Sequence, residues 1–100
     1  MRLRVIFKTV ARLEFDDAVA WYESERSGLG EEFKLEVKSA LQRAMSNPEL
    51  FQKVHGRARK IRLQRFKKYV IYFAIKDDVF SVLSVFHGAR NPHKLRRRLT

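Results

Sequence analysis

The sequence predicts an α+β fold of order β-α-α-β-β-β, with a helix hairpin packed on one face of a twisted antiparallel sheet. Three observations predict it. Apolar residues recur with a helical period between residues 9 and 46, and with a period near two before and after that stretch. The breaks between segments are short and carry Gly, Asn-Pro or Asp-Asp. The helical stretch divides once, at Ser27-Gly28-Leu29-Gly30. Two amphipathic helices joined so closely form an antiparallel pair.

Residues 2–8 alternate, with Leu3, Val5 and Phe7 on one side and Arg2, Arg4 and Ile6 on the other, which predicts a strand with one face well buried. In residues 9–26, Ala11, Phe15, Ala18 and Tyr22 fall on one helical face. Thr9 is the candidate N-cap. Glu14, Asp16, Asp17, Glu23 and Glu25 are assigned to the polar side, and Trp21 and Tyr22 to core or hairpin packing. The second helix carries Leu29, Phe33, Val37, Leu41 and Ala44 on one face. Glu31 and Glu32 sit at its positive end, and Asn47-Pro48 stops it.

Residues 49–57 read as a loop ending at Gly56. Ile61 and Leu63 then alternate with Lys60, Arg62 and Gln64, so the polar set points away from the helices if the apolar set points inward. Tyr69–Ile75 is a nearly continuous apolar run, as in a central strand, and Lys76-Asp77-Asp78 is a turn. Val79–Phe86 is a further strand, completing a three-stranded meander. The first strand adds to an edge or pairs with the last. The tail 93–100 is basic and suits a short helix.

With 100 residues, 45% hydrophobic and 33% charged, the chain has the size and composition of one globular domain spanning 1–100. It has no cysteine, which excludes disulfides, thiolate metal sites and cysteine nucleophiles. No apolar run approaches the roughly 20 residues of a membrane span, and the start reads as a strand rather than a signal peptide. The expected compartment is the cytoplasm, with no membrane partner.

Charge is the most informative bulk property. Residues 1–50 carry a net charge of −1, whereas residues 51–100 carry +12. A field so concentrated attracts polyanions or an acidic protein partner. Arg57–Lys68 holds seven basic residues in twelve, and the tail adds Lys94, Arg96, Arg97 and Arg98. The functional reading is a docking surface formed by Arg59, Lys60, Arg62, Arg65, His87, Arg90, Arg96, Arg97 and Arg98. The plain alternative is a solvated sheet face. The three histidines lack metal-ligand spacing, so no metal and no cofactor are expected.

The segments Ala18-Val19-Ala20-Trp21-Tyr22-Glu23, Gly28-Leu29-Gly30-Glu31-Glu32-Phe33 and Asn47-Pro48 come first in a recognisable order. Arg59-Lys60-Ile61-Arg62-Leu63, Arg65-Phe66, Tyr69-Val70-Ile71-Tyr72 and Val85-Phe86-His87-Gly88-Ala89-Arg90-Asn91-Pro92 follow. Together they resemble the ParE branch of the RelE/ParE superfamily, the small toxins of bacterial toxin–antitoxin modules. The resemblance spans Val5 to about Arg98. It implies the architecture already given and a cognate antitoxin with an acidic, poorly ordered segment. Within the superfamily, ParE-like members inhibit DNA gyrase and RelE-like members cut mRNA on the ribosome.

Metal-free RNA cleavage needs a base, an acid and cations around the phosphate. Lys60 and Arg62 share a strand face, and Arg90 sits near the family's late arginine, so an interferase would use Lys60, Arg62 and Arg90. Two departures count against it. Val70 stands where RelE-like enzymes carry an arginine, and no aromatic residue follows His87 to stack on a base. His87 suits general acid–base chemistry by type; the bland alternative, a strand-end histidine bonded to its neighbours, is favoured. The expectation is therefore a gyrase-inhibiting toxin. The alternatives are a ribosome-dependent mRNA interferase, or a nontoxic member that only binds antitoxin.

Overall fold

The computed structural model describes residues 3–88 and 92–99, without the side chains of 92–94 and 98. The elements are β1 (Arg4–Phe7), α1 (Thr9–Glu25), α2 (Leu29–Ser46), a 3₁₀ turn (Pro48–Leu50), β2 (Lys53–His55), β3 (Ala58–Arg62), β4 (Tyr69–Lys76), β5 (Val79–His87) and α3 (Pro92–Leu99). The five strands form one sheet in the order β1-β5-β4-β3-β2. β2 to β5 make an antiparallel meander, while β1 runs parallel to β5 and forms an edge, so the sheet is mixed.

The hairpin of α1 and α2 covers the sheet face that carries Ile61, Ile71, Phe73, Phe80, Val82 and Val85. Alanines at 11, 18, 40 and 44 are fully buried on the two helices and let the backbones approach. Gly28 takes a left-handed φ of 89°, which suits a residue without Cβ, and the Glu23 carboxylate accepts the N–H groups of Gly28 (2.9 Å) and Gly30 (3.0 Å). One side chain thus fixes the reversal between helices. Beneath it, Tyr22, Phe33, Phe66 and Tyr69 pack with ring centroids 4.8–6.0 Å apart, mostly edge to face. Each such pair contributes about 0.5–1.5 kcal/mol beyond its buried area.

Several expectations are corrected. Lys8, not Thr9, occupies the N-cap position of α1, and no side chain caps it. Glu14 is buried rather than on the polar side, because it lies three residues after Ala11 and four before Ala18 on the same stripe. Tyr22 is core, but Trp21 is 43% exposed, with the Lys68 ammonium 4.9 Å from its ring centroid. The first strand is not well buried. Leu3 and Phe7 pack on the core, while Val5 and Ile6 remain exposed at the edge. The stretch 49–57 is not all loop, since Lys53–His55 pairs with β3 through the turn at Gly56-Arg57, extending the meander to four strands. All three β2 residues are exposed, so no buried period announces the strand. The second sheet face is not bare: α3 contacts β5, and Phe86 is buried on that side opposite Val70.

Candidate functional site

β3 divides the basic residues between the two sheet faces. Ile61 is fully buried under the helices, so Lys60 and Arg62 point to the opposite face, across from Tyr72 and Val70. α3 brings Leu95, Arg96 and Leu99 to the same side. With Val54, His55 and Tyr72 they line an open groove of about 370 Å³. Its lining mixes the apolar Val54, Leu95 and Leu99 with His55, Tyr72 and one cation, Arg96, and no carboxylate is among the described lining residues. Neither Lys60, Arg62 nor Arg96 forms a salt bridge with a described residue. Burial pushes the Tyr72 phenol above its usual pKa, against the opposing pull of Arg62, so it stays protonated at neutral pH and offers a donor.

The other candidates do not all join this face. Arg59 lies across from Phe73 on the helix-covered side, where its guanidinium donates to the Phe51 carbonyl at 2.8 Å. Arg65 is ion-paired with Glu32, stacks on Phe66 at 5.1 Å, and its backbone N–H donates to Glu36 at 3.1 Å. The two arginines at 26 and 65 hold the Glu32 carboxyl below its ordinary pKa. His87 ends β5 opposite Tyr69, ring centroids 5.1 Å apart and edge to face, again on the helix-covered side. Gly88 N–H donates to the Lys68 carbonyl at 2.7 Å just beyond it. Lys60, Arg62 and His87 are therefore not brought together.

Arg96 and Arg97 are exposed on α3. Arg98 lies in α3, but its side chain is outside the described residues, as is the whole of Arg90. The groove residues Val54, Tyr72, Leu95 and Leu99 were missed by the sequence reading. Leu95 and Leu99 carried a signal, being four apart in an otherwise basic tail. Among the described residues, no three His, Asp or Glu side chains converge as metal ligands, and no helix is long and apolar enough to cross a membrane.

This arrangement suits binding: a groove with apolar side chains, a phenol and Arg96 lies on the same sheet face as Lys60 and Arg62. A solved structure described as the chromosomal ParDE TA system from P. aeruginosa has a similar fold. Its TM-score is 0.71 at 10% identity, over 85% of this chain and 95% of that one. No curated protein sequence matches the chain significantly. Residues 5–92 match the family model described as ParE toxin of type II toxin-antitoxin system, parDE. With nearly nine-tenths of its length inside that match, the chain belongs to the ParE toxin family.

Proposed function

We propose that this toxin arrests growth by inhibiting DNA gyrase in the cytoplasm, and that a cognate antitoxin with an acidic segment neutralises it. The observation that carries the reading is the sheet face that Lys60 and Arg62 share with the groove of Tyr72, Leu95, Arg96 and Leu99, the three cations having no described acidic partner. Cations of this kind steer an acidic partner into contact, and the apolar groove holds it once water is excluded. The docking set extends to Arg97 and Arg98 on α3 and to Arg90, whereas Arg59 and His87 on the helix-covered side and the ion-paired Arg65 stand apart from it. The pairing of toxin with antitoxin in the P. aeruginosa ParDE system supports a partner of that class.

The test is supercoiling of relaxed plasmid by gyrase, titrated with the purified chain. Inhibition with accumulation of linear DNA is the expected result. Supercoiling that proceeds unchanged at large excess of protein would abandon gyrase. Cleaved mRNA in a translating extract would then move the same cations to an interferase role.

A further inference from the structure

The β2–β3 hairpin carries cations on both sides of the sheet edge. Lys60 and Arg62 belong to the face already described. On the other side, beyond the cover of α2, a second cleft of about 280 Å³ opens beneath the hairpin, lined by Lys53, Arg57 and Arg59. Its floor is Phe73 and Ile75, and Glu49 is the single carboxylate among the described residues that line it. None of the three cations forms a salt bridge with a described residue. Arg59 is partly buried and oriented by its bond to the Phe51 carbonyl, so its guanidinium is held in place before any ligand arrives.

We infer that this cleft seats the phosphodiester backbone of duplex DNA, held by Lys53, Arg57 and Arg59. Three cations lining one cleft match a run of phosphates, each contact releasing condensed counterions. An acidic protein is a poorer fit, because a protein interface needs an apolar centre and here Phe73 is buried at the floor. A single strand is also a poorer fit, because the one aromatic ring among the described lining residues, Phe73, is buried and cannot stack on a base. The lining offers cations that suit phosphate contacts, which position a duplex without reading its sequence. This site goes beyond the proposed action on gyrase and stands without it, since it predicts DNA contact by the free toxin.

The experiment is fluorescence anisotropy of a labelled duplex of about 20 base pairs with the purified full chain, at salt from about 50 to 200 mM. Exchanging both Lys53→Ala and Arg57→Ala is expected to weaken binding about 10-fold at low salt and to flatten the log–log salt slope by about 2. Glu49→Gln is expected to tighten binding about 2-fold by removing the one carboxylate among the described residues lining the cleft. The pair Lys34→Ala and Lys38→Ala removes the same charge from the exposed side of α2 and is expected to change affinity less than about 2-fold. Equal losses from the two lysine-bearing surfaces would overturn the inference, leaving only diffuse attraction. Tighter binding of single-stranded DNA, or displacement by polyglutamate as effective as by unlabelled duplex, would overturn it too. The variants change exposed residues, and their thermal melts confirm folding. Gyrase supercoiling by the same variants is read separately, so failure of one proposal is distinguishable from failure of the other.

Discussion

The Glu14 carboxylate on α1 accepts hydrogen bonds from two adjacent residues of β5, the Ser84 hydroxyl at 2.8 Å and the Val85 N–H at 2.9 Å. The cause lies in the sheet. β1 ends at Phe7, opposite Val82, so further along β5 no described strand lies on that side. Leu83 is an extra residue in β5, because Tyr72 pairs with Ser84 and Phe73 with Val82. Such a bulge interrupts the ladder and re-aims its neighbours. Glu14 caps the buried stretch of β5 beyond the end of β1, linking the first helix to the last strand.

Glu14→Ala should therefore destabilise the fold by about 2–4 kcal/mol, since it leaves a buried hydroxyl and a buried amide without their acceptor. Ser84→Ala removes one bond and should cost about 1 kcal/mol. Urea denaturation of both variants checks this. A loss below about 0.5 kcal/mol for Glu14→Ala, the range of ordinary surface changes, would contradict the role.

Gly30 on α2 packs directly against the backbone of α1. A Cβ there would lie 2.8 Å from the Val19 carbonyl oxygen and 2.9 Å from Glu23 Oε1. The first obstacle is backbone, which cannot swing aside. Gly30→Ala should cost about 1–3 kcal/mol through overpacking, despite the better helix propensity of alanine. Thermal unfolding of the variant measures it, and a raised melting temperature would refute the contact.

The legible parts of the fold are those where burial is periodic. The stripe from Phe33 to Ala44 and the apolar run from Tyr69 to Ile75 announce α2 and β4, because one face of each meets the core. β2 was illegible for the opposite reason: Lys53, Val54 and His55 are all exposed, and only backbone pairing makes them a strand. Glu14 was misplaced because an acidic side chain on an apolar stripe looks like its boundary until its partners, 70 and 71 residues away, come into view. Part of the candidate site was readable. The alternation of Lys60 and Arg62 with Ile61 and Leu63 gave their common face, which burial of both apolar residues supports. The same alternation sends Arg59 to the other face, away from Lys60 and Arg62. The groove with α3 was not readable, because its residues come from separate elements.

Acid should loosen the helix hairpin. The N–H groups of Gly28 and Gly30 hold the Glu23 carboxyl below its ordinary pKa, and Arg65 and Arg26 do the same for Glu32. With the folded pKa depressed, the unfolded chain binds more protons in the window between the two values, so stability rises with pH there. The contribution is complete above the usual glutamate value of about 4.3 and is lost as pH falls through the folded values. Melting temperatures recorded from about pH 6 to pH 2 should fall below that point, and less steeply for Glu23→Gln. An identical profile for Glu23→Gln and the parent would remove Glu23 from the account.

The proposed antitoxin surface divides into parts with different kinetic signatures. Lys60 and Arg62 are cations on the open face, whereas Tyr72 is a half-buried ring in the groove wall. Rim charge acts before contact by steering, and its effect is screened by salt. A packed aromatic acts after contact, when separation must rewet it. Exchanging Lys60 and Arg62 together for alanine should slow association with the acidic antitoxin about 10-fold at low salt, little at high salt, with dissociation nearly unchanged. Tyr72→Ala should instead speed dissociation about 10-fold or more at any salt, with association nearly unchanged. Surface plasmon resonance across a salt series, on variants whose melts show a retained fold, separates the two. If both variants altered the same rate constant with the same salt dependence, the division into steering rim and holding groove would fail.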